Sequence, residues 1–216
     1  MSNQGSLLVV SGFSGAGKGT VMKKLLEEHD NYALSISATT RQPREGELDG
    51  REYFFKTVEQ FKEMIENKEL LEYAVYVDNY YGTPKEYVES QLSNGNNVIL
   101  EIESVGALNV KRLFPEAVLI FIIPPSAQEL ERRLRQRGTE DERTISARLA
   151  KASSEAEGVE RYDYIVINDT VERCAEQINE IASGAQAVRE ECSAVNNINL
   201  INNIREQLKL YSEGDK

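Results

Sequence analysis

The residues best equipped for chemistry lie near the start of the chain, in the run Gly12-Phe13-Ser14-Gly15-Ala16-Gly17-Lys18-Gly19-Thr20. Holding a phosphate requires several N–H groups to converge on one point, and only a glycine-rich backbone bends tightly enough to aim them. A lysine at the start of the following helix adds a point charge that can reach β- and γ-phosphates, and the helix contributes its positive end. The run departs from the strict phosphate-loop pattern at one place. Gly19 stands where a serine or threonine directly follows the lysine, and the hydroxyl comes one residue later, on Thr20.

Further candidates carry charge suited to small anions. Arg41 and Arg44 sit close together in a turn-rich segment, and planar guanidinium forks are the groups that best hold a phosphate dianion. Arginine is concentrated again between Arg132 and Arg148. These clusters stand on an acidic background, a formal net charge of −11, which opposes general affinity for nucleic acid or an anionic membrane. They read either as sites for small anionic ligands or as solvated helix faces. Glu101 and Glu103 close the segment NVILEIE, where the ligands of doubly wound sheets bind.

These side chains need elements to position them. Ser6 to Val10 reads as a strand, the glycine loop follows, and Val21, Met22, Leu25 and Leu26 give a helical stripe. Asn97–Ile102, Ala117–Ile123 and Tyr164–Ile167 are continuous apolar runs suited to strands buried on both faces of a parallel sheet. Helical patterns at Ala127–Arg137 and Glu142–Ala156 alternate with them, so an α/β fold is expected. From Asn31 to Tyr53 the chain is broken by turn signals. Phe61–Leu71 then has helical spacing, and Glu72–Tyr81 is rich in strand-favouring residues, which together predict an inserted β-rich lobe.

Several ordered segments together resemble the guanylate kinases: GKGT at Gly17–Thr20, SISATTRQPREGELDGREYFF at Ser35–Phe55, ELLEYAVYVDNYYGTP at Glu69–Pro84, RGTEDE at Arg137–Glu142 and IVINDT at Ile165–Thr170. The likeness runs from about Leu7 to the helix after Asn168. It implies a core of the P-loop nucleoside triphosphate hydrolase type with a parallel sheet, a small GMP-binding lobe and a helical lid. The core would comprise about 1–34, 85–131 and 157–185, the lobe 35–84, the lid 132–156 and a helical tail 186–216. The implied reaction is transfer of the γ-phosphoryl group of ATP to GMP or dGMP, with Mg²⁺.

By the same resemblance, residues 12–20 and Asn168 bind ATP, with Thr20 supplying a hydroxyl near Mg²⁺. Arg41, Arg44, Tyr53 and Tyr81 grip the GMP phosphate, while Glu72, Ser37 and Thr83 meet the guanine edge. Glu101 serves GMP or the metal's waters, and Glu103 serves the metal through water. Lys18, Arg133, Arg137 and Arg148 neutralise charge on the moving phosphoryl group. Two departures from the family pattern are Glu103, where aspartate is usual, and Val105, where glutamine is usual. Other nucleoside monophosphate kinases and non-catalytic guanylate-kinase-like scaffold domains stay open as alternatives.

Cys174 and Cys192 have no metal-type spacing, so packing is expected of them in a cytoplasmic protein. No apolar run approaches membrane-spanning length. The tail stripe of Val188, Cys192, Val195, Ile201, Ile204, Leu208 and Tyr211 is interrupted at Asn196 and Asn197. It suits a helix on its own domain or a contact with a partner, and leaves monomer and homo-oligomer both open.

Overall fold

The computed structural model describes residues 4–76, 78–136 and 141–213. Along the chain come β1 (Leu7–Gly12), α1 (Lys18–Glu28) and β2 (Tyr32–Leu34). A second group follows: β3 (Ala38–Thr39), β4 (Phe54–Phe55), α2 (Val58–Glu66), β5 (Leu70–Tyr76) and β6 (Asn79–Pro84). The chain then passes through α3 (Lys85–Ser93), β7 (Asn97–Glu101), α4 (Ser104–Leu113), β8 (Val118–Ile123), α5 (Ala127–Gln136) and α6 (Glu142–Glu155). After a 3-10 turn at Val159–Arg161 come β9 (Tyr164–Ile167), α7 (Val171–Ser183), α8 (Gln186–Glu191) and α9 (Ala194–Glu213).

Five strands form the main sheet in the order β2-β7-β1-β8-β9, and every pairing is parallel. A parallel sheet needs a crossover between neighbours and is covered on both faces, which is why its strands are apolar throughout. β8 shows this: Leu119 through Ile123 are each fully buried. The glycine loop leaves the C-terminal edge of β1, between β7 and β8.

Four strands form a smaller sheet in the order β4-β3-β6-β5. Its longest pairing is the antiparallel β5–β6 hairpin. α2 is started by a capping box in which Thr57 and Gln60 exchange hydrogen bonds. Phe61 of α2 is fully buried, with its ring 5.2 Å from that of Tyr80, so the helix is anchored to this sheet.

The tail folds back on its own domain. Among its apolar residues Ile201, Ile204 and Leu208 are buried as α9 packs along α6 and touches α5, and the Tyr211 hydroxyl donates to Glu131 at 2.5 Å. The break in the tail differs from expectation: α9 runs unbroken through Asn196 and Asn197, and the chain turns earlier, at Cys192 and Ser193. The asparagines end the preceding helix instead. Their side-chain amides donate to the carbonyls of Glu190 (2.6 Å) and Glu191 (2.8 Å), two of the acceptors left over at the end of α8. Residues 192–194 also bond to the edge strand β9, through Ile165 N–H to the Cys192 carbonyl (2.7 Å) and Ala194 N–H to the Asp163 carbonyl (3.1 Å). That pairing covers an otherwise open sheet edge. Both thiols are buried, and burial pushes Cys174 up to about 12 and Cys192 up to about 11.

None of the described helices is long and apolar enough to cross a membrane. Because Ile204 is 2 % exposed against the body of the domain, Ile204→Ala is expected to cost about 2–5 kcal/mol of unfolding free energy. Urea denaturation checks this, and a loss near zero would mean that the tail is undocked in solution.

Candidate functional site

The loop from Gly12 to Lys18 is shaped from behind. Gly15 and Gly17 have φ of 96° and 90°, a region that side-chain-bearing residues rarely adopt. A Cβ on Gly17 would stand 2.7 Å from Asn168 Nδ2, and one on Gly15 would stand 2.8 Å from Leu134 Cδ2, so space as well as conformation demands glycine. The Ala16 carbonyl accepts from Asn168 Nδ2 at 2.7 Å and from Arg133 Nη1 at 3.2 Å. Arg133 also donates to the Asn168 carbonyl (2.8 Å) and to Glu129 (2.7 Å). Phe13 is fully buried, edge-on to Phe121 with ring centroids 5.5 Å apart, and so can offer a ligand only its backbone. The Lys18 ammonium donates to the carbonyls of Gly12 (2.8 Å) and Phe13 (3.2 Å).

In front of the loop lies a cleft of about 790 Å³, walled by both sheets. Gly12, Ser14 and Lys18 line one side, and Ser37, Tyr53, Glu72 and Tyr81 line the other. Glu101, Glu103 and Arg148 complete it. Glu101 arrives there because β7 runs parallel to β1 with Val10 opposite Glu101, which brings the strand's carboxyl end level with the start of the loop. Another hollow, about 670 Å³ between α2 and α3, contains none of the residues singled out by their chemistry.

Glu72 is the best-defined polar group of the far wall. Burial pushes its carboxyl above the usual range, and a hydrogen bond from the Thr83 hydroxyl at 2.8 Å opposes that shift. Thr83 is fully buried and absent from the cleft wall, where its hydroxyl is held on Glu72. The Arg41 guanidinium lies 5.2 Å from the centroid of the Tyr53 ring, a cation–π contact, and donates to Glu47 at 2.9 Å. The other oxygen of Glu47 accepts from the Arg44 backbone N–H at 2.7 Å. Arg44 is exposed on this same turn, and neither arginine is among the residues that line the cleft.

Some expectations change with these placements. Asn168 is only 2 % exposed and lies beneath the loop, with its side-chain amide donating to the Ala16 carbonyl. Arg133 likewise braces loop backbone and is absent from the cleft wall. Thr20 is exposed on the first turn of α1, outside the cleft lining. Arg137, and with it residues 137–140 of the expected lid, fall outside the described residues.

Several residues in or beside the site escaped the sequence reading. Glu47 was hidden inside a turn-rich segment, although its spacing from both arginines was visible. Lys151 and Glu155 line the cleft with Arg148. Spacings of three and four residues put all three on one face of α6, a signal available once the helix is drawn.

A divalent metal suits the donors present. No group of three or more His, Cys, Asp or Glu side chains converges among the described residues. Mg²⁺ commonly takes one or two carboxylates together with phosphate oxygens and waters, and Glu101 and Glu103 offer hard oxygens on the cleft wall beside the loop.

The guanylate kinase family model matches residues 4–185. A guanylate kinase of Caldanaerobacter subterraneus is 51% identical over 207 residues, covering 96% of this chain and 98% of the relative. One from Bacillus cereus is 53% identical over 190 residues, covering 88% and 93%. Among solved structures, a guanylate kinase from Anaplasma phagocytophilum superposes with a TM-score of 0.63 at 34% identity, over 86% of this chain and 89% of that one.

The Thr83–Glu72 contact has a measurable signature. Thr83→Val removes a hydrogen bond that favours the ionised carboxylate, so the Glu72 carboxyl should titrate at higher pH than in the parent protein. A ¹³C carboxyl titration by NMR reads this, and an unmoved midpoint would show that the contact does not act in solution.

Proposed function

Because the chain belongs to the guanylate kinase family, we propose that it transfers the γ-phosphoryl group of ATP directly to GMP or dGMP, with Arg41, Arg44 and Glu72 binding the acceptor. A GMP phosphate oxygen forms the new bond to the γ-phosphorus, the bond from that phosphorus to the β–γ bridging oxygen breaks, and ADP leaves. One observation carries the reading: a single cleft is lined by Lys18 of the phosphate loop and, opposite, by Glu72 with Tyr53 and Tyr81. Two nucleotides can therefore meet with their phosphates between them. Phosphoryl transfer asks a protein mainly for positioning and for neutralisation of charge.

Glu72 is the proposed reader of the purine. A carboxylate accepts from the N1–H and N2–H donors that guanine presents side by side, whereas adenine offers no such pair. Ser37, on the same wall, can meet the base edge with its hydroxyl. A site with a buried, committed acceptor discriminates strongly, because the wrong base leaves that acceptor unpaired. Arg41 and Arg44, with the hydroxyls of Tyr53 and Tyr81, would hold the acceptor phosphate. Arg148 would approach the transferred group from α6. Mg²⁺, held by Glu101 and Glu103 through water, would supply charge neutralisation on the ATP phosphates.

The same reading divides the chain into moving parts: a core of about 1–34, 85–131 and 157–185, an acceptor lobe of 35–84, and a lid of 132–156. Closure of lobe and lid would exclude water that could otherwise hydrolyse ATP. A role in recycling GMP in the cytoplasm belongs to this proposal too.

The deciding experiment follows ADP release with ATP and, in turn, GMP, dGMP, AMP and UMP. GMP and dGMP should be used far better than the others, and equal use of AMP would defeat the assignment. Lys18→Ala is expected to abolish transfer while GMP affinity stays within about twofold, since its ammonium serves the other nucleotide. Glu72→Ala should weaken GMP binding by about 2–4 kcal/mol and leave ATP binding unchanged, measured by separate titrations. The pH dependence has a definite sign. GMP binding needs the Glu72 carboxylate, whose folded-state pKa is raised. GMP affinity should therefore fall on acidification at a pH above that of an ordinary exposed glutamate, and a midpoint in the ordinary range would contradict the role given to Glu72.

A further inference from the structure

We propose that Glu155 is a positioning residue that holds the phosphate loop until a nucleotide's phosphates displace it, so that donor binding is coupled to movement of α6. The inference rests on reading the loop as a triphosphate site. Its carboxylate accepts a hydrogen bond from the Ser14 backbone N–H at 2.7 Å, across 141 residues of sequence. That N–H belongs to the loop whose amides serve phosphate, and both residues line the cleft. The loop is thus already engaged by an anion from the chain itself.

The contact is poorly placed for a purely structural one. Glu155 is the last residue of α6, where the negative end of the helix dipole opposes a carboxylate. Burial raises its pKa, partly countered by the Ser14 N–H, and nearby Glu103 raises it further while Lys18 and Lys151 act the other way. A more highly charged anion with more oxygens should win the Ser14 N–H easily.

Displacement would have a consequence for the rest of α6. Arg148, Lys151 and Glu155 share its cleft face, while Ile145, Leu149 and Ala152 are buried on the other side. An incoming polyphosphate repels the carboxylate at one end of that face and attracts the two cations farther back. The helix is thereby biased to pivot, withdrawing Glu155 and advancing Arg148. A charged hydrogen bond surrendered in this way weakens polyphosphate binding by its own worth, so removing the carboxylate should tighten it.

The test compares the parent protein with Glu155→Gln, which preserves size, and Glu155→Ala. Calorimetric titration with ATP, with inorganic tripolyphosphate and with adenosine separates the phosphate contribution from that of the base. Glu155→Ala should bind ATP and tripolyphosphate about tenfold more tightly, the scale of one hydrogen bond to a charged group, and Glu155→Gln, whose amide oxygen can still accept from Ser14, should tighten both to a smaller degree, with adenosine affinity unchanged in each. A purely structural contact would instead leave polyphosphate affinity unchanged or lowered, accompanied by a fall in Tm, and that result overturns the inference. If the parent protein itself bound neither ATP nor tripolyphosphate, the triphosphate reading of the loop would fall and this inference with it. Binding that is intact but equal in all three proteins sinks the inference alone.

Discussion

The shape of the phosphate loop depends on one carbonyl. Ala16 C=O is held from behind by Asn168 and Arg133, which reach it from the end of β9 and from α5. Three parts of the chain far apart in sequence thus converge on a loop of a few residues. A glycine-rich loop has the largest conformational entropy to lose on ordering, and these bonds offset part of that loss. They also bear on the glycine at 17: Asn168 stands where a Cβ on Gly17 would go. The brace and the freedom of the backbone are parts of one device.

The second constraint is the approach of the small sheet to the core. A Cβ on Gly106 would lie 3.2 Å from Glu72 Oε2, so the first turn of α4 and the glutamate of β5 are nearly in contact. This closeness helps desolvate Glu72 and raise its pKa, and Thr83 behind it supplies a hydrogen bond that favours the charged form. A carboxylate held partly desolvated discriminates between partners better than a solvated one, because water no longer substitutes for the missing donor. The same burial costs stability, a common exchange at sites built for recognition.

Much of this was legible in the sequence, for identifiable reasons. The buried strands were visible because parallel strands covered on both faces must be apolar throughout, and the AVLIFII run could hardly be anything else. The loop was visible because its chemistry restricts residue type at nearly every position. α3 and α4 were not singled out: each is short, and α3 buries only Val88 and α4 only Ala107 and Val110, too few for a clear period. The roles of Asn168 and Arg133 beneath the loop were also out of reach. Resemblance placed them near the nucleotide, but nothing in a linear pattern distinguishes a side chain that touches a ligand from one that holds the backbone touching it. Asn196 and Asn197 misled in the opposite direction, reading as a helix break when their amides cap the helix before.

For a cleft proposed to hold two polyanions, the lining is acidic. Glu72, Glu101, Glu103 and Glu155 face it alongside Lys18, Arg148 and Lys151. A wall of cations alone would hold any phosphate firmly, product as well as substrate, and binding that is equally strong throughout the reaction does not accelerate it. Carboxylates among the cations would lower ground-state affinity, and beyond the cleft lining Glu47 orients Arg41 by a hydrogen bond. On the proposed reading, charge would be best compensated only when both nucleotides are present. The chain's overall charge of −11 works in the same direction: it leaves the positive field confined to the few places where geometry concentrates it, so that selectivity rests on the arrangement of side chains and not on bulk attraction.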